Sequence, residues 1–166
     1  MAWTTPKTWS VGEVLTAANM NLHLRDNLNF LKPEVARKTA DQGVSSTTYV
    51  DVTGFSFAVA ASEVWIIQID MDVDINGTSK VKFLWSVPSG ATGQQRYLGD
   101  SAGSATAAIG SDLITSNGGS ATFPLAYSAT LVNSTNAGTA QFRMALFTGV
   151  NTATLKANSG MQARRV

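Results

Sequence analysis

The chain has 166 residues, with 12 Lys plus Arg against 11 Asp plus Glu, one His and no Cys. That length suits one domain with a short appendage. Charged residues make up 14%, against roughly 25% in ordinary soluble domains, and Ser and Thr fill the gap at about a fifth of the chain. Such a composition favours sheets and turns over helices. The absence of Cys excludes a disulfide scaffold, a Cys-based zinc site and a thiol nucleophile. One His cannot build a multi-histidine metal site. A net charge of +1 argues against a nucleic-acid partner. The N-terminus shows no apolar signal region, and no apolar run reaches the ~18–20 residues of a membrane span. The expectation is a protein made in the cytoplasm, with no membrane partner.

Residues 1–42 carry nine of the 23 charged residues and read as an arm and a helix, whereas residues 43–166 read almost purely as strands. Trp3, Pro6 and Trp9 mark the arm, where Pro6 biases Thr5 to an extended form. Two tryptophans on an extended arm cannot form their own core. They need a surface, either of this chain or of a partner.

Thr16 is a candidate N-cap for a helix, and Ser10 with Glu13 fits an earlier capping box. Val14, Ala17, Asn21, Leu24, Leu28, Leu31 and Val35 recur in alternating steps of three and four. That is heptad spacing, with Asn21 as the polar residue that can fix register. The same stripe also suits a helix packed on its own domain. Pro33 ends or bends the helix near Leu31. His23 lies in this helix as a surface or interface residue, not a ligand.

Strands follow in short succession. Thr47–Val52 and Phe55–Val59 flank Thr53-Gly54. Trp65 to Ile75 alternates strictly, with Asp70, Asp72 and Asp74 on the wet face. Asn76-Gly77 predicts a hairpin turn, and Lys80 and Lys82 on the return strand would then oppose those aspartates. Trp65 and Trp85 fall on core faces. Further strands are predicted at 95–98, 105–109, 121–132, 141–147, 153–157 and 161–166, with Pro124 at an edge or just before a strand start. Loops 99–103, 116–120 and 133–138 separate some of them. The fold class is mainly β: a jelly-roll β-sandwich preceded by an extended N-terminal arm and one α-helix.

Asp72-Val73-Asp74-Ile75-Asn76-Gly77 begins like a calcium loop, but Phe83 stands where a bidentate Glu is needed, so no metal site is assigned. No GxSxG, Walker A or GxGxxG motif is present, and no catalytic residue or cofactor is expected. Glu63, Asp70, Asp100 and Asp112 carry no glycosidase spacing. Arg164-Arg165 is too small a basic patch for nucleic acid.

The segment from Ala2-Trp3-Thr4-Thr5-Pro6 through Trp9-Ser10-Val11-Gly12-Glu13-Val14-Leu15-Thr16-Ala17-Ala18-Asn19-Met20-Asn21 to Leu24-Arg25-Asp26-Asn27-Leu28 and Leu31 resembles the N-terminal attachment region of small structural proteins of tailed bacteriophages. The remainder is similar to the trimeric jelly-roll domains of phage fibres and decoration proteins, which share the C1q and tumour-necrosis-factor fold. Residues 153–166 look like their closing hairpin, although the order here is Ser159-Gly160 rather than Gly-Ser.

The resemblance implies a non-enzymatic virion protein, a homotrimeric capsid decoration or short head-fibre protein. Its partners would be the major capsid protein or a tail protein of the same virion, and it would reside on the capsid or tail surface. It also implies Trp3, Pro6 and Trp9 as the attachment arm. Gln141, Arg143 and Phe147, on a strand with mixed faces, are the expected trimer contacts. The alternatives are a tail-fibre or minor tail protein and a carbohydrate-binding adhesion module for a host surface glycan. The last would need Tyr97 or Tyr127 exposed in a cleft.

Overall fold

Strict alternation in the sequence becomes two inward-facing layers in space. A computed structural model of the chain describes residues 4–99, 103–115, 121–148 and 151–166. Twelve strands are described there: β1 (Glu34–Arg37), β2 (Gln42–Val44), β3 (Val50–Val59), β4 (Val64–Ile75), β5 (Lys80–Ser86), β6 (Thr92–Gly99), β7 (Gly103–Ala108), β8 (Leu113–Ile114), β9 (Ala121–Val132), β10 (Gly138–Thr148), β11 (Ala153–Leu155) and β12 (Gly160–Arg165). All pair antiparallel. The eight-stranded sheet runs β1-β12-β4-β9-β6-β7, with β2 and β11 completing it beside the far half of β4. The four-stranded sheet runs β3-β10-β5-β8. From β3 onward the chain passes repeatedly between the sheets, as a jelly roll does. The mainly β sandwich with one short helical run is therefore as the sequence predicts.

The layer between the sheets is aromatic at its centre. Phe142 on β10 is fully buried, and its ring meets Phe83 (5.5 Å), Trp85 (5.3 Å), Phe55 (6.4 Å) and, from the other sheet, Tyr127 (5.0 Å). Phe57 bridges Trp65 and Trp85 at 4.6 and 5.8 Å. Both tryptophans are buried, as their alternation predicts.

The Asn76-Gly77 hairpin is not formed. β4 and β5 belong to different sheets, so Asn76–Ser79 crosses between them. β5 joins β10 and β8 in the other sheet, where Val81, Phe83 and Trp85 are fully buried and Phe83 and Trp85 meet the Phe142 ring. Lys80 and Lys82 therefore do not oppose Asp70, Asp72 and Asp74. Lys82 pairs with Asp112 at 3.4 Å. Gly77 keeps the crossing tight, with φ +90° and the Asn151 side chain where a Cβ would stand.

Residues 153–166 do not close as a hairpin either. β11 pairs Val73–Ile75 and β12 pairs Trp65–Asp70, so both run the same way along β4. Residues 156–159 bulge between them. β2 and β1 follow the same interrupted course beside β11 and β12. Glu34–Arg37 and Gln42–Val44 are thus strands of the large sheet rather than part of the arm and helix. Thr47–Val52 and Phe55–Val59 prove to be largely one strand, β3, which carries four residues opposite Phe142 where β10 carries one. Pro124 lies inside β9, not at an edge strand or a start. It stands opposite Asp72 of β4, one residue beyond Leu125, the last β9 residue paired with β6 among the described residues.

These interruptions face one another, and side chains satisfy their backbone groups. Gln42 accepts from the Thr53 N–H (3.0 Å) and donates to the Asp51 carbonyl (2.8 Å). Gln141 donates to the carbonyls of Val52 (3.0 Å) and Phe142 (2.8 Å). Lys38 is buried here, its Nζ donating to Gln42 Oε1 (2.7 Å) and the Thr53 carbonyl (3.3 Å). Burial holds this amine below the usual lysine range.

Two predictions follow from this packing. Phe142→Ala should destabilise the sandwich by about 3–5 kcal/mol in chemical denaturation. For Lys38 the folded state binds protons more weakly than the unfolded one, so its charged form opposes folding. The unfolding free energy of the natural chain, relative to Lys38→Met, should rise as pH approaches about 10. A flat or falling difference would contradict the role given to the buried amine.

Candidate functional site

The N-terminal arm folds against its own helix rather than against the sandwich. Trp3 lies outside the described residues; Pro6 is exposed. Trp9 is half-buried, edge-on to His23 at 6.3 Å, with Lys7 Nζ 5.0 Å above its ring. Lys7 also pairs with Glu13. Glu13 accepts the Ser10 N–H (3.2 Å) while the Ser10 carbonyl accepts the Glu13 N–H (3.1 Å). Only the Glu13 half of a capping box is formed, because the Ser10 carbonyl and not its hydroxyl takes the Glu13 N–H, and the pair closes a turn at Gly12 (φ +81°) instead of starting a helix. The Lys7 bond, then the Ser10 bond, lower the Glu13 carboxyl below its ordinary value.

The helix begins one turn later, where Thr16 Oγ1 accepts the Asn19 N–H (3.2 Å). It runs as α1 (Ala17–Met20), a widened π turn (Asn21–Arg25) and α2 (Asp26–Leu31). It ends ahead of Pro33, as predicted. Val14 precedes the helix and Val35 follows it on β1, so the helical stripe is shorter than the heptad pattern suggests.

Asn27 ties arm to helix. It is buried, accepts the Thr4 N–H (3.0 Å) and donates to the carbonyls of Thr4 (2.7 Å) and His23 (3.2 Å). Its amide serves Thr4 as a neighbouring strand would. Arg165 ties helix to sandwich. Its guanidinium lies over Phe30 (4.7 Å) and Trp65 (5.4 Å), pairs with Glu63 (3.0 Å) and donates to the Asn29 carbonyl (3.2 Å). Sequence reasoning passed over both residues. Asn27 stood unassigned inside the Leu-Arg-Asp-Asn-Leu motif, and Arg165 was read with Arg164 as a weak basic patch.

The face left over is apolar. Leu24, Leu28 and Leu31 are 45%, 67% and 59% exposed, Met20 joins them, and Val14, Ala17 and Asn21 are exposed too. The stripe is therefore not packed on the chain's own domain. Of the fourteen strongly exposed large hydrophobic residues among those described, nine lie between Val11 and Val35.

The strand expected to carry contacts between copies is largely engaged within the chain. Gln141 caps the β3 bulge. Arg143 pairs with Asp51 (2.7 Å) and donates to the Tyr49 carbonyl (3.1 Å). Tyr49 lies between Lys82 and Arg143, with its hydroxyl on Asp112 (2.8 Å). Burial, then Asp112, push that phenol far above its ordinary value. Phe147 is exposed. On the outward face of the eight-stranded sheet Arg96 Nε donates to Ser128 Oγ at 2.9 Å. Val35, Gln162, Gln68, Ser128, Arg96 and Thr106 stand in one row across it. A groove of about 620 Å³ runs over Ala126 and Ser128, between Gln68 and Asp70 on one side and Arg96 and Leu98 on the other.

Tyr97 and Tyr127 are buried, with their hydroxyls on the Ile114 carbonyl and Gln95. The aromatic platform that sugar binding would use is thus inside the core. Among the carboxylates weighed for glycan cleavage, Glu63 holds Arg165, Asp112 holds Tyr49 and Lys82, and Asp100 lies outside the described residues. Asp72 and Asp74 stand extended on β4 rather than wrapped around an ion, and among the described residues no group of three or more metal-ligating side chains gathers.

No protein-family model and no curated protein matches the chain. Among solved structures it is similar to two from infectious bursal disease virus, of the Gx and Gt strains, each at 12% identity. The matches cover 81% of this chain and 37% of those chains, with TM-scores of 0.19 and 0.17. The chain spans little more than a third of their length, and such scores carry no argument about fold or function.

Asn27→Ala should free the arm without unfolding the sandwich. The lost bonds are worth about 1–2 kcal/mol locally. The measurable result is faster proteolysis before residue 16 and a red-shifted Trp9 component, at an unchanged sandwich melting temperature.

Proposed function

We propose that the chain is a non-enzymatic structural protein of a tailed-bacteriophage virion, a homotrimer that decorates the capsid or forms a short head fibre. The observation that carries this reading is the gathering of exposed large hydrophobic residues on the N-terminal arm and helix, outside a sandwich whose own core is closed. A gathering of exposed apolar side chains of that kind marks a surface that another protein covers. The phage-type attachment motif occupies the same residues. The arm and helix are the anchor, and the sandwich is the module they display.

The trimer contact belongs to the outward face of the eight-stranded sheet rather than to β10. β10 has its polar partners within the chain. The large sheet presents Asp70 and Asp72 on β4, with Arg96 and Arg164 on strands to either side. Identical faces that carry both charge signs and few charges overall can meet without net repulsion.

Removal of residues 1–32 tests the anchor. Particles stripped of the protein are incubated with the natural or shortened chain, and bound copies are counted by quantitative mass spectrometry. Binding should fall at least tenfold while the sandwich keeps its cooperative thermal transition. Undiminished binding by a folded shortened chain would sink the anchor, and imaging of labelled particles separates a capsid position from a tail position.

A further inference from the structure

Residues 34–44 join the helix to the sandwich and lie at the margin of the large sheet. Among the described strands, β1 pairs only with β12 and β2 only with β11. Little apolar burial holds this stretch in place: within it only Lys38 and Val44 are buried. Exposed polar ties do the rest. Asp41 pairs with Lys156 and accepts the Ala157 N–H at 2.7 Å, and Arg37 Nε donates to Asn158 Oδ1 at 3.1 Å. We propose that residues 34–44 are an acid-opened strap: protonation of Asp41 unfastens it from the turn at 156–159, and the buried Lys38 ammonium, which regains water on release, favours the open form.

Lys38 works against the closed strap. Among the described residues its Nζ donates to two neutral oxygens, Gln42 Oε1 and the Thr53 carbonyl, although an ammonium carries three donors. The nearby carboxylates are engaged elsewhere or exposed. Asp41 turns to Lys156, Asp51 of β3 pairs with Arg143 of β10, and Glu34 is exposed. Asp72 and Asp74 stand on β4, on the far side of β11, and Asp74 acts on Lys156. A charge buried among neutral partners costs free energy that hydration returns. Local opening is therefore easier here than for a strand with an apolar side chain in the same place.

Acid removes the clasp and leaves the opposing charge. Lys156, then the Ala157 N–H, hold the Asp41 carboxyl below its ordinary range. The clasp is therefore complete above about pH 4 and is lost as pH falls through the lowered value. Lys38 stays charged throughout that window, so its opposition is undiminished. Both ends of the strap remain tied. Arg165 holds Asn29 and Phe30 of the helix, and the Ser46 carbonyl accepts the Leu146 N–H at 2.9 Å. Opening turns the residues between into slack and uncovers the outer edges of β11 and β12 without parting the two sheets.

Hydrogen exchange of the full chain, read amide by amide and corrected for intrinsic rates, tests the strap. At pH 7 the amides of β1 and β2 should exchange by local opening, at least tenfold faster than those of β4 and β9. Between pH 7 and pH 3 the opening constant of the strap should rise at least threefold. That of β7, the uncharged strand at the other margin of the same sheet, should stay within twofold. Asp41→Asn, which mimics the protonated carboxyl, should raise opening at pH 7 by a similar factor and abolish the further rise in acid. Lys38→Met should lower opening at least threefold at both pH values, with the thermal transition of the sandwich retained. If Lys38→Met fails to fold, Lys38→Gln serves with a smaller decrease. A strap that exchanges only together with β4, an acid rise that survives Asp41→Asn, or a folded Lys38 variant that opens as readily as the natural chain overturns the proposal. No particle enters these measurements, so the strap stands or falls separately from the virion reading.

Discussion

Closing two sheets over one apolar layer is the constraint on which the rest of this molecule depends. Phe142 sits at its centre, in ring contact with its own sheet and, through Tyr127, with the opposite one. Every long strand must turn its large residues toward that layer. A strand that pairs beside its predecessor extends one sheet; a strand that crosses adds to the other. The chain crosses after β3, after β4 and again after β5, because both layers need inward faces before either can be buried. The order of strands is a consequence of filling both sides of one core.

That closure has a local cost in backbone hydrogen bonds. β3 bulges opposite Phe142, and the paired courses β1–β2 and β12–β11 are interrupted beside it. Buried carbonyl and amide groups at such breaks need partners. Gln42, Gln141 and Lys38 supply them. Glutamine suits this task because one planar amide both donates and accepts. The lysine is less obvious, since its ammonium is buried among neutral oxygens. Asp41 lies close in sequence but turns to Lys156 and the Ala157 N–H instead.

Much of this fold was legible in the sequence, and the errors share a cause. Strict alternation located β4, β5 and β10 and their inner faces, because period two is a local property of a strand with one dry side, whereas β9 was placed as a strand without a face. Thr16 and Pro33 bounded the helix for equally local reasons. Asn76-Gly77 misled because a turn signal says that the chain reverses, not which sheet receives the next strand. Residues 153–166 misled in the same way, since a break between two strands looks alike whether they pair or continue. β1 and β2 were missed because four charged residues and Pro33 mask strands too short to show a period. In the N-terminal unit, the apolar stripe was visible from spacing. The roles of Asn27 and Arg165 were not, because each depends on a partner more than 20 residues away.

The uneven distribution of charge acquires a physical sense from this arrangement. The large sheet's outward face carries charges of both signs, Asp70 and Asp72 with Arg96 and Arg164, around the neutral side chains Gln162, Gln68, Ser128 and Thr106. A monomer gains solubility from a charged surface; a face that meets its own copies gains more from neutral groups that hydrogen-bond without repulsion. Along the helix Met20, Leu24, Leu28 and Leu31 form an uncharged exposed stripe, and the exposed Arg25 pairs with Asp26 beside it. Arg165 then links the two, since it holds Phe30 of the helix against Trp65 of the sheet. Through that clamp and the bond to the Asn29 carbonyl the helix is held beside β12, so its position follows that of the large sheet.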